Sequence, residues 1–234
     1  MHLPARPSRR IFISWSLLGF AWLARTATAQ GETPRLAPVM TEAGVTISDD
    51  SFAQALPKSW RAAKGTWVVE AGALRGTEVK AEQHQAVVRH PLTVANAVIA
   101  FSFRLGQSRQ ISLSVNDAKE HVCRVIINAK GFTVQKDDHD HDGPDKAVVF
   151  ARVAMNLDAN AWHTAVVEIN GAELVAQIDD ASHLGFGAHA LLDRPKANFG
   201  FTSAGGTAEF RDVKVSEATL RADWPETKRR LVAK

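Results

Sequence analysis

Residues Ala97 to Leu105 alternate without interruption: Ile99, Phe101, Phe103 and Leu105 fall on one side of an extended chain, Ser102 and Arg104 on the other. A helix would scatter the four apolar side chains around its circumference, so the run commits this segment to a strand with one buried face. The pattern returns over Gln110–Asn116, where Ile111, Leu113 and Val115 point inward and Ser112, Ser114 and Asn116 outward. His121–Ile127 follows, with Cys123, Val125 and Ile127 inward and Arg124 outward. Asn128-Ala129-Lys130-Gly131 then turns the chain, its glycine placed where a positive φ is needed, and Phe132–Lys136 alternates again.

The remaining chain carries the same grammar. Thr41–Ser48 reads as a first strand, Phe52–Arg61 as a loop, and Gly65–Glu70 with Ala73–Thr77 as a hairpin about Ala71-Gly72. Gln85–Arg89 is a brief strand that His90-Pro91 should end. Trp162–Asn170 and Glu173–Asp179 form a hairpin whose turn dipeptide is Asn170-Gly171. Leu184–Leu192 is punctuated by glycines, and Lys196–Thr202 and Thr207–Val215 supply two late strands. Roughly eleven to thirteen short strands with no helical periodicity between them predict an all-β fold, a two-sheet antiparallel jelly-roll sandwich over residues 41–218. Residues 219–234 form a short C-terminal helical tail, with Asp223 as N-cap, an acid in the first turn and Lys228, Arg229 and Arg230 later as a solvated face.

Residues 1–29 read as a secretory signal peptide. Arg6, Arg9 and Arg10 precede an apolar run from Ile11 to Ala24, which is too short for a membrane span, and Ala27-Thr28-Ala29 offers a small-residue cleavage site. The expected location is exported, periplasmic or extracellular, with residues 30–40 as a flexible lead-in and no membrane span in the mature chain. The leader holds four of the 28 Lys and Arg and none of the 25 Asp and Glu, so the formal +3 of the whole chain becomes a slight acidic excess once it is removed. That balance argues against nucleic acid as a partner. Cys123 is the only cysteine, lies in an apolar strand, and reads as a buried structural thiol without a disulfide partner.

Two constellations could carry chemistry. Arg104, Ser112, Ser114, Asn116, Arg124, Gln135 and Gln177 are the outward residues of central strands, and their guanidinium, amide and hydroxyl groups suit sugar hydroxyls or carboxylates. The competing reading is an ordinary wet sheet face. The second is Asp138-His139-Asp140-His141-Asp142-Gly143, which opens like a calcium loop with alternating carboxylates at Asp138, Asp140 and Asp142. Its twelfth position is Val149 rather than a bidentate Glu, which excludes an EF-hand and leaves a shorter calcium turn, a zinc-type His/Asp site, or a solvated loop. His121, which opens the strand feeding this loop, is the candidate catalytic residue. His84, His90, His163, His183 and His189 read as structural. No paired-carboxylate strand motif, nucleophile elbow or phosphate-binding glycine loop is present in the sequence.

Four segments resemble the 3-keto-disaccharide hydrolase-like family, exported bacterial jelly rolls of concanavalin A/laminarinase type. They are Gly65-Thr66-Trp67-Val68-Val69-Glu70-Ala71-Gly72-Ala73-Leu74, Val98–Arg104, Ala161-Trp162-His163 with Val167–Gly171, and Phe199-Gly200-Phe201 with Ala208–Val215. The likeness spans roughly residues 45–217. It implies a concanavalin A-like sandwich and carbohydrate as partner, with cleavage or hydration of 3-keto-sugars at a metal-assisted site on a concave sheet. Where the family carries Asn-Ser-Gly and Gly-Tyr-Glu in its middle strands, this chain has Ser112-Leu113-Ser114-Val115-Asn116 and His121-Val122-Cys123-Arg124. Three functions follow as expectations: a carbohydrate-interacting domain, a metal-assisted 3-keto-glycoside lyase or hydrolase, and a non-catalytic structural envelope module.

Overall fold

The structure is a computed structural model that describes His2 and residues 36–232; apart from His2, the expected leader lies outside the described residues. Fifteen strands run in chain order: β1 (Thr41–Asp50), β2 (Arg61–Lys64), β3 (Thr66–Glu70), β4 (Ala73–Thr77), β5 (Ala86–Val94), β6 (Ala97–Arg104), β7 (Gln110–Asn116), β8 (His121–Asn128), β9 (Gly131–Lys136), β10 (Val148–Ala154), β11 (His163–Asn170), β12 (Glu173–Ile178), β13 (Asp180–Ala188), β14 (Lys196–Ala204) and β15 (Thr207–Leu220). One helix, α1 (Trp224–Val232), closes the described chain.

The strands form two antiparallel sheets packed face to face. One is ordered β13-β12-β11-β6-β15-β4-β3, with β1 also on β15, and the other β10-β9-β8-β7-β14-β5-β2. Neighbours such as β7-β14-β5 are far apart in sequence, as jelly-roll connections require. The alternation of β6 and β7 does what it predicts: Ile99, Phe103, Leu105, Ile111, Leu113 and Val115 are all at most 1 % exposed between the sheets. Phe201 of β14 stacks on Phe210 of β15 at 4.3 Å and 15°, which joins the two sheets at their centre. Each such ring is worth about 1.5–3 kcal/mol of burial.

Three local expectations need correction. β5 continues to Val94 rather than ending at His90-Pro91, because β2 stops opposite Arg89 and the strand beyond has a free side that tolerates proline. β10 has no counterpart in the sequence reading, since Val148-Val149-Phe150-Ala151 is an edge strand half buried on both sides and does not alternate. The β11–β12 turn residues are Gly171 and Ala172, because Asn170 pairs with Glu173, and of Asn170 and Gly171 only the glycine takes a positive φ, at 53°.

The outer face of the eight-stranded sheet is covered. Glu168 of β11 is 0 % exposed and accepts hydrogen bonds from the backbone N–H of Val39 (2.9 Å), Met40 (2.9 Å) and Thr41 (2.7 Å) and from the Thr41 hydroxyl (2.8 Å). Residues 36–40 of the lead-in are thereby tied across the sheet, with Leu36 against Val98 and Val166. Trp224 of α1 packs with Met40 and Val175, and its indole N–H donates to Glu173 Oε2 at 2.6 Å. Lys228, expected to be solvated, also reaches Glu173.

Candidate functional site

The outer face of the seven-stranded sheet is not crossed by the lead-in or α1, and its register assembles a polar row in which Arg61 and Arg89 are exposed, Arg124 and Gln135 half-buried, and Ser114 and Gly200 buried. Gln135 pairs with Arg124, Arg124 with Ser114, Ser114 with Gly200, Gly200 with Arg89 and Arg89 with Arg61. Adjacent strands lie about 4.8 Å apart, so Arg89 and Arg124 stand about 14 Å from each other at Cα, over a floor made only of Gly200 and Ser114. A second row holds Asn116 opposite both Asn198 and His121. A third holds Ser112 opposite Thr202, with their hydroxyls 2.7 Å apart.

Side chains on this face hold one another. Asn116 Nδ2 donates to Asn198 Oδ1, which leaves Asn116 Oδ1 to accept from His121 Nδ1–H. Asp137, only 4 % exposed, accepts from Gln135 Nε2 at 2.7 Å and lies 3.3 Å from Arg124 Nη2. Arg124 Nε is buried with no hydrogen-bond partner.

Carboxylates and imidazoles form the rim. Asp117 Oδ1 accepts from the N–H groups of Lys119 and Glu120 at 2.8 Å each, and Oδ2 receives Arg194 Nη1 at 2.6 Å and His139 Nε2 at 2.8 Å. Burial pushes Asp117 up, but these four donors outweigh it and hold the carboxyl well below the usual carboxylate range. Glu120 Oε2 sits 2.8 Å from His141 Nε2. The β7–β8 turn thus fastens both histidines of the following loop.

Of the seven expected ligand-binding residues, Ser112, Ser114, Asn116, Arg124 and Gln135 come together here. Arg104 and Gln177 do not, because β6 and β12 belong to the other sheet. Gln177 is 0 % exposed and donates to the Ala37 carbonyl beneath the lead-in. Arg104 pairs with Glu209 and shares the Trp162 ring with Arg211, at 5.0 and 4.1 Å to the centroid. The single polar face expected from alternation is therefore two faces. Arg89, Asn198, Gly200 and Asp137 join the site without having been singled out; the alternation of their strands was visible, but the neighbours of those strands were not.

The aspartate loop turns on itself. Asp138 Oδ1 accepts from the N–H of Asp140 (3.2 Å) and of His141 (2.8 Å), and Oδ2 lies 3.6 Å from Lys146 Nζ. Asp140 Oδ2 accepts from Asp145 N–H at 3.2 Å, and Asp145 pairs with the buried Lys136. Asp142 is exposed. Among the described residues, no three His, Cys, Asp or Glu side chains gather at a common point suited to a metal ion. Melting curves in calcium, zinc or EDTA should superimpose; a calcium- or zinc-specific rise in melting temperature, reversed by EDTA, would restore a metal role to Asp138, Asp140 and Asp142.

The structural histidines read as expected in two cases: His163 bridges Asp179 Oδ2 and the Asp158 carbonyl, and His90 packs on Trp60 and Phe199. Burial pushes the Cys123 thiol up to about 12, so it is inert at neutral pH. A cavity of about 330 Å³ between Asp49 and Pro57 lies apart from the polar row.

His121 and His141 are displaced in opposite directions. Burial, helped by Arg124, pushes His121 below its ordinary value, whereas the hydrogen bond that His141 donates to Glu120 raises His141. His141 thus adds stability at pH below its unfolded value and loses it as pH rises through the folded one. His121, buried and neutral, costs stability as pH falls below its unfolded value. Imidazole NMR titrations should show His141 gaining its proton first on acidification; the reverse order would contradict the geometry.

Several solved structures share this fold. A CBM66 carbohydrate binding module from Bacillus subtilis superposes with a TM-score of 0.55 at 17% identity, covering 68% of this chain and 96% of that one. The laminarinase from Rhodothermus marinus gives 0.55 at 12% identity, covering 76% and 98%. A Crh5 transglycosylase in complex with NAG gives 0.58 at 9% identity, covering 78% and 88%. No family model and no curated protein matches the chain in sequence. The chain has the jelly-roll fold of glycoside hydrolases and carbohydrate-binding modules.

Proposed function

We propose that this chain is an exported jelly-roll domain that binds carbohydrate on the outer face of its seven-stranded sheet, and that it is related to the 3-keto-disaccharide hydrolase-like family. The observation that carries the site is the asymmetry of the sandwich: one outer face lies under the lead-in and α1, while the other presents a row of guanidinium and amide groups, exposed at Arg61 and Arg89 and half-buried at Arg124 and Gln135, over the buried Gly200 and Ser114. Such groups hydrogen-bond sugar hydroxyls in fixed directions. The fold neighbours, named as a carbohydrate binding module and as glycan-processing enzymes, support the class of ligand. The amino-terminal Arg-rich, apolar and Ala-x-Ala sequence supports export. Among the described residues, no helix is long and apolar enough to cross a membrane.

Binding by the purified protein, surveyed on a glycan array and quantified by calorimetry, tests this. Arg124→Ala should weaken binding about tenfold or more, the loss of one charge-assisted hydrogen bond of about 1.5–3 kcal/mol. Arg104→Ala, on the other sheet, should leave binding unchanged. Equal losses from both variants, or none from Arg124→Ala, would move the site elsewhere.

Catalysis on a keto-sugar is a second reading that rests on His121. Its Nδ1 proton is held by Asn116 Oδ1, which leaves Nε2 of the neutral ring as a proton acceptor, 3.5 Å from Glu120 Oε1 in the row of Asn116 and Asn198. Turnover of a 3-keto-glucoside that is lost in His121→Ala would establish it; absence of turnover would leave the binding domain.

A further inference from the structure

The charges on the open face are unbalanced. Arg61, Arg89 and Arg124 share one row, and Arg152, opposite Thr133 on β10, stands in the next. Among the described residues, Arg61, Arg89 and Arg152 have no carboxylate within 4.0 Å, and Arg124 has only Asp137. Arg124 also keeps a buried Nε without a partner. The nearest acids at the rim are already committed, Asp117 to Arg194 and His139 and Glu120 to His141. The whole chain's balance is close to neutral, so this cationic face is a local arrangement and not a by-product of composition.

The second observation is what the face lacks. Trp60 and Trp67 are in the core, Trp224 opens α1 and is buried against Met40 and Val175 on the far sheet, and Trp162 lies beside Arg104 and Arg211 on that same sheet. With no Tyr in the sequence, none of these rings offers a sugar a stacking platform on the open face. Affinity must come from charge and directed hydrogen bonds, and guanidinium groups pair best with planar carboxylates or with sulfate oxygens.

We infer that the glycan bound on this face is anionic, a polysaccharide bearing uronate carboxylates or sulfate esters, gripped between Arg89 and Arg124 across the Gly200–Ser114 floor. This rests on the reading that the face binds carbohydrate. Calorimetry on the purified full-length product should compare an oligogalacturonide, a sulfated oligosaccharide, a neutral laminari-oligosaccharide and a single-stranded oligonucleotide. The expected result is binding of the uronate or the sulfated probe at least about tenfold tighter than the neutral one, weakening as salt rises from about 50 to about 500 mM. Arg89→Gln and Arg124→Gln, which keep a polar amide and remove the charge, should each remove roughly tenfold of that preference while melting stays cooperative. Equal or tighter binding of the neutral probe overturns the inference and leaves the carbohydrate reading intact. Binding of the oligonucleotide as tightly as of the anionic sugars overturns it as well, and binding of no probe overturns both.

Discussion

Glu168→Ala is expected to destabilise the protein by about 3 kcal/mol, although the residue is remote from the polar row. The substitution removes the acceptor for three backbone N–H groups and one hydroxyl around Met40, a residue that is itself fully buried. Each buried donor left without a partner costs about 1–3 kcal/mol, and the total is less than the sum because the lead-in can lift and rehydrate. For a domain of this size the change is a fall of roughly 6–12 °C in melting temperature. Burial pushes the Glu168 carboxyl up, and the N–H groups of Val39, Thr41 and Met40 with the Thr41 hydroxyl pull it back without cancelling the rise. Thr41→Val, which deletes one donor and keeps the volume, should cost only about 1 kcal/mol. Hydrogen exchange at the Met40 and Thr41 amides should accelerate in Glu168→Ala ahead of exchange in β6. If Glu168→Ala melts with the parent, the clasp contributes nothing and the covered face could open as readily as the other.

That clasp also shows where sequence reading stops. Alternation identified β6, β7, β8 and β9 and the side of each that would be buried, because period two is a property of a single strand. It could not order strands from distant parts of the chain. Arg104 and Arg124 look equivalent in sequence, yet one belongs to β6 and the other to β8, on opposite outer faces. Arg89, Gly200 and Arg124 share a row only because β14 inserts between β5 and β7, a pairing fixed by packing over about a hundred residues of separation. Glu168 gave no signal at all, since a charged residue alternating outward on a strand reads as solvated until something is known to lie over it. The aspartate loop is a different case. Asp138 and Asp140 have the spacing of calcium ligands and also that of side chains capping their own backbone, and in the fold both accept from nearby backbone N–H groups.

Trp60 is the other residue whose partners local pattern does not give, and its removal should have the larger effect. It lies in the loop between β1 and β2, without periodicity, yet it is 4 % exposed and surrounded by aromatic rings. Its indole stacks on Phe201 at 5.7 Å and 11° and meets Phe199 edge-on at 5.4 Å, with Phe52 and His90 completing the cage. Nε1–H donates to Asp50 Oδ2 at 3.1 Å, an oxygen that also accepts from Ser48 Oγ at 2.6 Å. Trp60→Ala opens a cavity between the sheets and should cost about 3–5 kcal/mol, a fall of roughly 10–15 °C in melting temperature. Trp60→Phe keeps most of the apolar volume and loses the bond to Asp50, so it should cost roughly half as much. The consequence reaches the open face through the chain itself, because Arg61 follows Trp60 and β2 is held by β5 on one side only. With the indole gone, the four residues of β2 lose their anchor and Arg61 no longer stands opposite Arg89. Glycan affinity in Trp60→Ala should therefore drop in step with faster exchange in β2, while Arg124, three strands away from β5, keeps its pairing with Asp137. A variant that melts much lower yet binds with parental affinity would show that Arg61 and the β2 edge take no part in recognition, and would confine the site to the strands from Arg89 on β5 to Gln135 on β9.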